Sequence, residues 1–167
     1  MTSLTMVFAM VCGAVLQAIL PTWRWLGHAN VPVLMGVVLY YAVTHPRGLL
    51  LGAAVVGGLL QDALGMIPLG YSSFCFCVVA LLAARFKDMV FEHELVTHMF
   101  FGALASGLFT LLLYGLLAGS DVVVLRPRWG VLKVFGSVIL GGVIVPFVFE
   151  TMTALDRMLG NVESREL

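Results

Sequence analysis

Charged side chains are scarce in this chain. Nine Lys or Arg and nine Asp or Glu occur among 167 residues, so that 11% of the sequence is charged, against about 25% in soluble domains. The formal net charge is zero, which leaves no basic face for nucleic acid and no polybasic tail for anionic lipid. The composition therefore argues against a water-soluble domain and against a nucleic-acid partner.

Patterns that mark catalytic or metal sites are also lacking. His93 and His98 resemble the pair of a zinc-protease motif, but their spacing places them about 140° apart around a helix. Cys75 and Cys77 point about 200° apart on a helix, so they neither share a metal nor form a redox pair. The sequence contains no nucleophile elbow and no phosphate-binding glycine loop. We therefore expect no enzyme activity, no metal and no cofactor.

Apolar side chains are abundant instead. They make up 61% of the residues, and the mean hydropathy is +1.07. A hydrocarbon core about 30 Å thick is crossed by about 20 helical residues, so six spans would use about 120 residues. The composition predicts a single integral membrane domain over residues 1–167, with an all-α fold in which about six transmembrane helices form a compact polytopic bundle.

Proline, glycine and charged residues divide the chain into six apolar segments. Trp23, Arg24 and Trp25 mark a membrane interface after the first segment, and residues 119–129 form the longest predicted loop. A polar stretch at residues 85–94 precedes the fifth segment. The predicted spans cover about residues 4–20, 29–44, 48–62, 71–84, 95–117 and 131–155.

The distribution of Lys and Arg weakly favours one orientation. With six spans, the side that carries the N-terminus holds Arg47, Arg85, Lys87, Arg157 and Arg165. The opposite side holds Arg24, Arg126, Arg128 and Lys133. The loop between the third and fourth spans has neither Lys nor Arg, which favours an external position for it and cytoplasmic positions for both termini.

Three polar residues lie within or close to the ends of apolar segments: Gln17, Asp62 and Glu150. A carboxylate inside a membrane helix costs about 2.5 to 3.5 kcal/mol, so such a residue tends to face a protein partner or a cavity. Asp62 and Glu150 also lie near predicted helix ends, where a carboxylate can cap a helix or stay hydrated. The sequence leaves both interpretations open for each residue.

Small residues recur at four-residue spacing, which lets helices approach closely in a membrane. This pattern favours packing within the chain over dimerisation. The pairs are Gly48 and Gly52, Gly102 and Ser106, Gly115 and Gly119, and Ser137 and Gly141.

Residues 58–70 read Gly-Leu-Leu-Gln-Asp-Ala-Leu-Gly-Met-Ile-Pro-Leu-Gly. This segment resembles the signature of MreD, the family of rod shape-determining membrane proteins of bacteria. It combines a Gly-Leu-x-x-Asp helix end with a Pro-Leu-Gly turn into the next span. The length of the chain, its short loops and its five or six spans are similar to that family over essentially the whole chain.

The resemblance implies a non-enzymatic subunit of the cell-elongation machinery in the bacterial inner membrane, which helps organise peptidoglycan synthesis and cell shape. The implied partners are an MreC-like bitopic protein and, through a wider complex, MreB, RodA, a penicillin-binding protein and RodZ. The short tail, which is not notably basic, argues against direct contact with cytoplasmic filaments. The family is similar in fold to the S-components of energy-coupling-factor vitamin transporters.

Five residues are candidates for structural or partner roles. Asp62, Pro68 and Gly70 match the family pattern, which implies that they shape the junction of the third and fourth helices. Gln61 and Glu150 complete the set.

Two other functions stay open. A vitamin-binding S-component-like subunit could line a pocket with Trp23, Trp25, Tyr40 and Tyr71, although aromatic residues at span ends also anchor helices at the interface. An intramembrane enzyme would depend on Asp62 or Glu150.

Overall fold

The described part of the chain is entirely helical. The computed structural model describes residues 2–20, 31–65, 68–86, 95–119 and 127–158. Its elements are α1 (Thr2–Ile19), α2 (Val33–Thr44), α3 (Arg47–Gly65), α4 (Tyr71–Arg85), α5 (Leu95–Gly119) and α6 (Pro127–Met158). Each predicted span corresponds to one of these helices, so the predicted all-α class is confirmed for these residues.

The helices differ in length. Helices α3, α5 and α6 are long and apolar enough to cross a membrane, which indicates a membrane protein. Helices α1, α2 and α4 are apolar but shorter. The 12 residues of α2 extend over only about 18 Å at 1.5 Å per residue, less than the hydrocarbon thickness of about 30 Å. The number of membrane crossings therefore stays a prediction.

Several helix ends differ from the predicted limits. Helix α3 begins at Arg47, and the Pro46 carbonyl accepts hydrogen bonds from the N–H groups of Leu49 and Leu50 at 3.1 and 3.2 Å. Helix α6 begins at Pro127, four residues before the predicted start, because proline suits the first helical turn. The predicted interface at residues 23–25, the polar stretch at 87–94, the loop at 120–126 and the tail after residue 158 lie outside the described residues.

Helix α2 occupies the centre of the bundle. It packs against each of the other five helices, and every residue from Val33 to Val43 is buried. Around it, α1 packs on α3, α3 on α4, α4 on α5, and α5 on α6. A helix that is apolar on all its faces gains most by being surrounded, which accounts for the central position of α2.

Helices α5 and α6 form the most extensive pair, and small residues bring them together. A Cβ atom on Gly102 would lie 2.5 Å from Val145 Cβ and 2.6 Å from the Gly141 carbonyl oxygen. A Cβ atom on Gly141 would collide with the side chain of Ser106. Packing within the chain is therefore confirmed for the predicted small-residue pairs on these two helices.

The other two small-residue pairs do not mediate helix packing within the chain. Gly48, Gly115 and Gly119 have open space where a Cβ atom would lie, and a Cβ atom on Gly52 would meet only the end of the Met6 side chain at 3.7 Å. The prediction that they pack within the chain is wrong for Gly115 and Gly119, which face outward from α5, whereas the half-buried Gly52 lies beside α1 without a close backbone approach.

Candidate functional site

The junction between α3 and α4 is built around Asp62, whose side chain is 0% exposed. Its Oδ2 atom accepts a hydrogen bond from the Gly70 N–H at 2.7 Å, and its Oδ1 atom accepts one from the Ser72 N–H at 3.0 Å. The first N–H groups of a helix have no partner within the helix, and a negative charge there is favourable. A carboxylate of α3 therefore caps α4.

The local sequence makes this cap possible. Gly70 has a φ of +104°, a backbone conformation that residues with a Cβ atom rarely adopt. One turn before Asp62, a Cβ atom on Gly58 would collide with the backbone of Ser73, so α3 and α4 cross with their backbones close together. The Ser73 hydroxyl also donates to the Val55 carbonyl oxygen at 3.2 Å. These contacts fix α4 against α3 immediately beside the turn.

A cavity of about 150 Å³ lies between the helices on the same side of the bundle. On one wall, Gln17 Nε2 of α1 donates to Gln61 Oε1 of α3 at 2.7 Å, and Gln17 Oε1 accepts from the Leu34 N–H at 3.3 Å. The buried side-chain amide of Gln17 therefore connects α1, α2 and α3. The lining is formed by Gln17, Val31, Pro32, Met35, Gln61, Gly65, Phe76, Ser106, Phe109, Thr110, Leu113, Tyr114, Lys133 and Ser137.

The opposite wall belongs to α5 and α6. The Thr110 hydroxyl oxygen lies 2.8 Å from both the Ser106 carbonyl oxygen and the Ser137 hydroxyl oxygen. The Ser137 hydroxyl is also 2.8 Å from the Lys133 carbonyl oxygen. Lys133 Nζ lies 5.4 Å from the centre of the Tyr114 ring, within the range of a cation–π interaction. This wall places a positive charge beside the cavity.

A further polar pair joins α2 to the C-terminal part of α6. The Tyr40 hydroxyl donates to Asp156 Oδ2 at 2.6 Å, and Asp156 is 5% exposed. The Tyr40 ring also contacts Phe149 edge to face, with centroids 5.6 Å apart. The pair satisfies a carboxylate that the helix packing would otherwise leave buried without a partner.

The structure separates the five candidate residues into three groups. Asp62 and Gly70 are bonded directly, and Pro68 lies exposed in the turn between them. Gln61 follows a different face of α3 and lines the cavity. Glu150 is exposed on α6, a helix that makes no packing contact with α3 within the described residues.

The alternatives left open for the two carboxylates are now resolved within the chain. Asp62 has both proposed roles, since it caps a helix by means of an interhelical contact. Glu150 is exposed on the outer surface of α6, so its side chain is not part of the interior packing of the described bundle.

Sequence reasoning missed two features. The partner of Gln17 was not predicted. Gln17 and Gln61 both lie within three residues of the end of an apolar segment, and this shared position was the only signal in the sequence. The Tyr40–Asp156 pair was also missed, because its members are 116 residues apart in the sequence. No local spacing reveals such a contact.

Within the described ranges, no group of three or more His, Cys, Asp or Glu side chains could hold a metal ion. The class defined by the fold is a helical membrane protein with a capped helix junction and a small polar cavity. Comparisons with protein-family models, with curated proteins and with solved structures find no match to this chain.

Proposed function

We propose that this protein is a non-enzymatic membrane subunit that binds the transmembrane helix of a bitopic partner in the complex that maintains rod shape in bacteria. The resemblance of residues 58–70 to the MreD signature motivates the proposal, and the role of Asp62 and Gly70 in capping α4 gives those signature positions a structural reason. The direct partner is an MreC-like protein. Through it, the chain belongs to a wider complex with MreB, RodA, a penicillin-binding protein and RodZ.

The observation that carries the proposal is the outward face of α5. Leu111 is 59% exposed, and Gly115, Ala118 and Gly119 follow it on the same exposed face. No described residue lies within 4 Å of the position of a Cβ atom on Gly115 or Gly119. Paired small residues on a lipid-facing helix allow a second helix to approach closely. On α5 this pair lies outside the contacts that the helix makes with α4 and α6.

The proposal includes the finer features of location and fold. The protein lies in the bacterial inner membrane with both termini in the cytoplasm, and its helices adopt an arrangement similar to an S-component. The central α2, surrounded by five helices, is consistent with a compact bundle whose outer surfaces remain available to partners.

Capture of an MreC-like protein from cells in gentle detergent tests the proposal. Gly115→Leu fills the open space on α5, so we expect capture to fall at least tenfold while the bundle stays folded. Ala154→Leu is the matched control, because Ala154 is also small and exposed but lies near the C-terminal end of α6. A photo-crosslinking residue at Leu111 should label the partner.

Two results would count against this function. Equal capture by Gly115→Leu and Ala154→Leu would remove α5 as the docking face. Failure of the unchanged protein to capture an MreC-like protein, together with normal rod shape after its depletion, would remove the scaffold function itself.

A second function, small-solute binding by an S-component-like transport subunit, would use the cavity. Its volume of about 150 Å³ is smaller than the 300 to 1,000 Å³ or so of sites for drug-sized ligands. A whole vitamin would need a larger space than the described helices enclose. Copurification of a vitamin with the protein would favour this function over scaffolding.

A further inference from the structure

Two side-chain amides, of Gln17 and Gln61, and one lysine, Lys133, are among the polar groups that line the cavity. Gln17 uses its amide oxygen for Leu34 and its amide nitrogen for Gln61. Gln61 accepts this hydrogen bond through its Oε1 atom, so the donor end of its amide, Nε2, is not used in this pair. Because an amide nitrogen is purely a donor, this wall presents N–H groups to the cavity.

The hydroxyl groups of the second wall do not reach the cavity surface as free donors. Ser106 is 1% exposed, and its hydroxyl, which packs against Gly141, has no hydrogen-bond partner among the described residues. A buried hydroxyl without a partner carries a desolvation penalty. The neighbouring hydroxyls of Thr110 and Ser137 already contact each other and the carbonyl oxygens of their own helices.

The charge of the lining has one sign. Lys133 is half-buried and lies over the Tyr114 ring, and no Asp or Glu is among the described residues of the lining. A cation would therefore find no carboxylate on the described lining, whereas an anion would find the Lys133 ammonium group and the Gln61 side-chain amide. Charge-assisted hydrogen bonds of this kind are the strong ones.

We propose that this cavity binds the phosphate group of a small ligand, held by Lys133 and Gln61. A cavity of about 150 Å³ is the size that accommodates a benzene-sized molecule, so a phosphate group fits and a nucleotide does not. A tetrahedral phosphate presents acceptor oxygens in several directions, which suits donors on opposite walls. The phosphate belongs either to free orthophosphate or to a lipid headgroup.

The binding test uses the full chain in a neutral maltoside detergent. Two probes are titrated, sodium orthophosphate and dihexanoyl phosphatidate, against sodium chloride at matched ionic strength. A ligand that binds only the folded protein raises the thermal unfolding midpoint as its concentration rises. We expect a saturable rise with at least one phosphate probe and none with chloride.

Three variants locate the site. Lys133→Met removes the charge but keeps an unbranched chain, and we expect the affinity to fall about tenfold or more. Gln61→Glu places a carboxylate on the wall and should abolish binding even if Lys133→Met fails to fold. Arg85→Met is the control, because Arg85 is an exposed cation at the end of α4 and does not line the cavity.

A midpoint rise with both probes identifies free phosphate as sufficient, and a rise with phosphatidate alone identifies a lipid headgroup. The proposal is overturned if neither probe exceeds the chloride control, or if folded Lys133→Met and Gln61→Glu bind as the unchanged protein does. The site is independent of the scaffold function, so Lys133→Met should capture the bitopic partner normally.

Discussion

Asp62 offers the sharpest test of how this fold is held together. Replacing it with alanine removes both acceptors from the first turn of α4, leaving the N–H groups of Gly70 and Ser72 without partners. Because Asp62 is 0% exposed, little water can reach the vacated position. Asparagine at the same position keeps one acceptor oxygen but turns an NH₂ group toward the other N–H donor.

The magnitude follows from the two bonds. A hydrogen bond to a charged group contributes about 1.5 to 3 kcal/mol, and the favourable charge at a helix N-terminus adds about 0.3 to 1 kcal/mol. We expect Asp62→Ala to lower the free energy of unfolding by about 3 to 7 kcal/mol. Asp62→Asn should cost about half as much, since one of the two bonds survives.

Reversible unfolding in mixed micelles, with increasing mole fractions of a denaturing detergent, measures these differences. Glu150→Gln is the matched control, because it also converts a carboxylate to an amide but lies on the exposed surface of α6. Exposed substitutions usually stay within about 0.5 kcal/mol. A loss below about 1 kcal/mol for Asp62→Ala would refute the view that this carboxylate holds the α3–α4 junction.

Three further predictions concern other contacts. Gly58→Ala should lower the free energy of unfolding by about 1 to 3 kcal/mol, because the new Cβ atom collides with the Ser73 backbone. The control, Gly115→Ala, places its Cβ atom in open space and should be neutral or stabilising by up to about 1 kcal/mol. In a double-mutant cycle, Tyr40→Phe and Asp156→Ala should show coupling of about 0.5 to 3 kcal/mol, since each removes the same buried hydrogen bond. Strictly additive losses would contradict the pairing. Burial lowers the pKa of His45, just beyond α2, although Asp156 opposes the shift. Between the pKa of His45 in the folded protein and about 6.5, the unfolded chain therefore binds more protons than the folded one, so stability should fall as the pH drops through that window. His45→Gln should flatten this part of the curve of stability against pH. An unchanged slope would show that His45 does not cause it.

The helix assignment was accessible from the sequence because each helix is an apolar run bounded by proline, glycine or charge. Packing within the chain at Gly102 and Ser106 and at Ser137 and Gly141 was accessible for a related reason, since small residues one turn apart permit close contact, but the sequence did not show that these two pairs meet. The same spacing at Gly115 and Gly119 is equally clear but faces outward. Spacing along one helix shows that a close approach is possible and does not show which surface provides it.

The central position of α2 depends on the whole bundle. Its segment is the shortest of the six helices, and its sequence lacks charged residues on every face, so no amphipathic stripe indicates which neighbour it meets. Its polar contacts are few and long-range, as the distance in sequence between Tyr40 and Asp156 illustrates. A helix without a polar face is recognisable as buried, but its partners are decided by the packing of the other five.

The end of α3 shows how two adjacent polar residues can serve different neighbours. Consecutive positions on a helix point about 100° apart, so Asp62 turns toward α4 while Gln61 turns toward α1 and the cavity. The same turn of helix therefore sets the position of α4 and forms part of the polar wall. If the cavity binds phosphate, the Asp62 cap serves it indirectly, because Phe76 of α4 lines the cavity and the cap holds that helix in place. Adjacent polar residues of one helix can thus have different roles, since Asp62 acts through helix geometry while Gln61 faces the cavity.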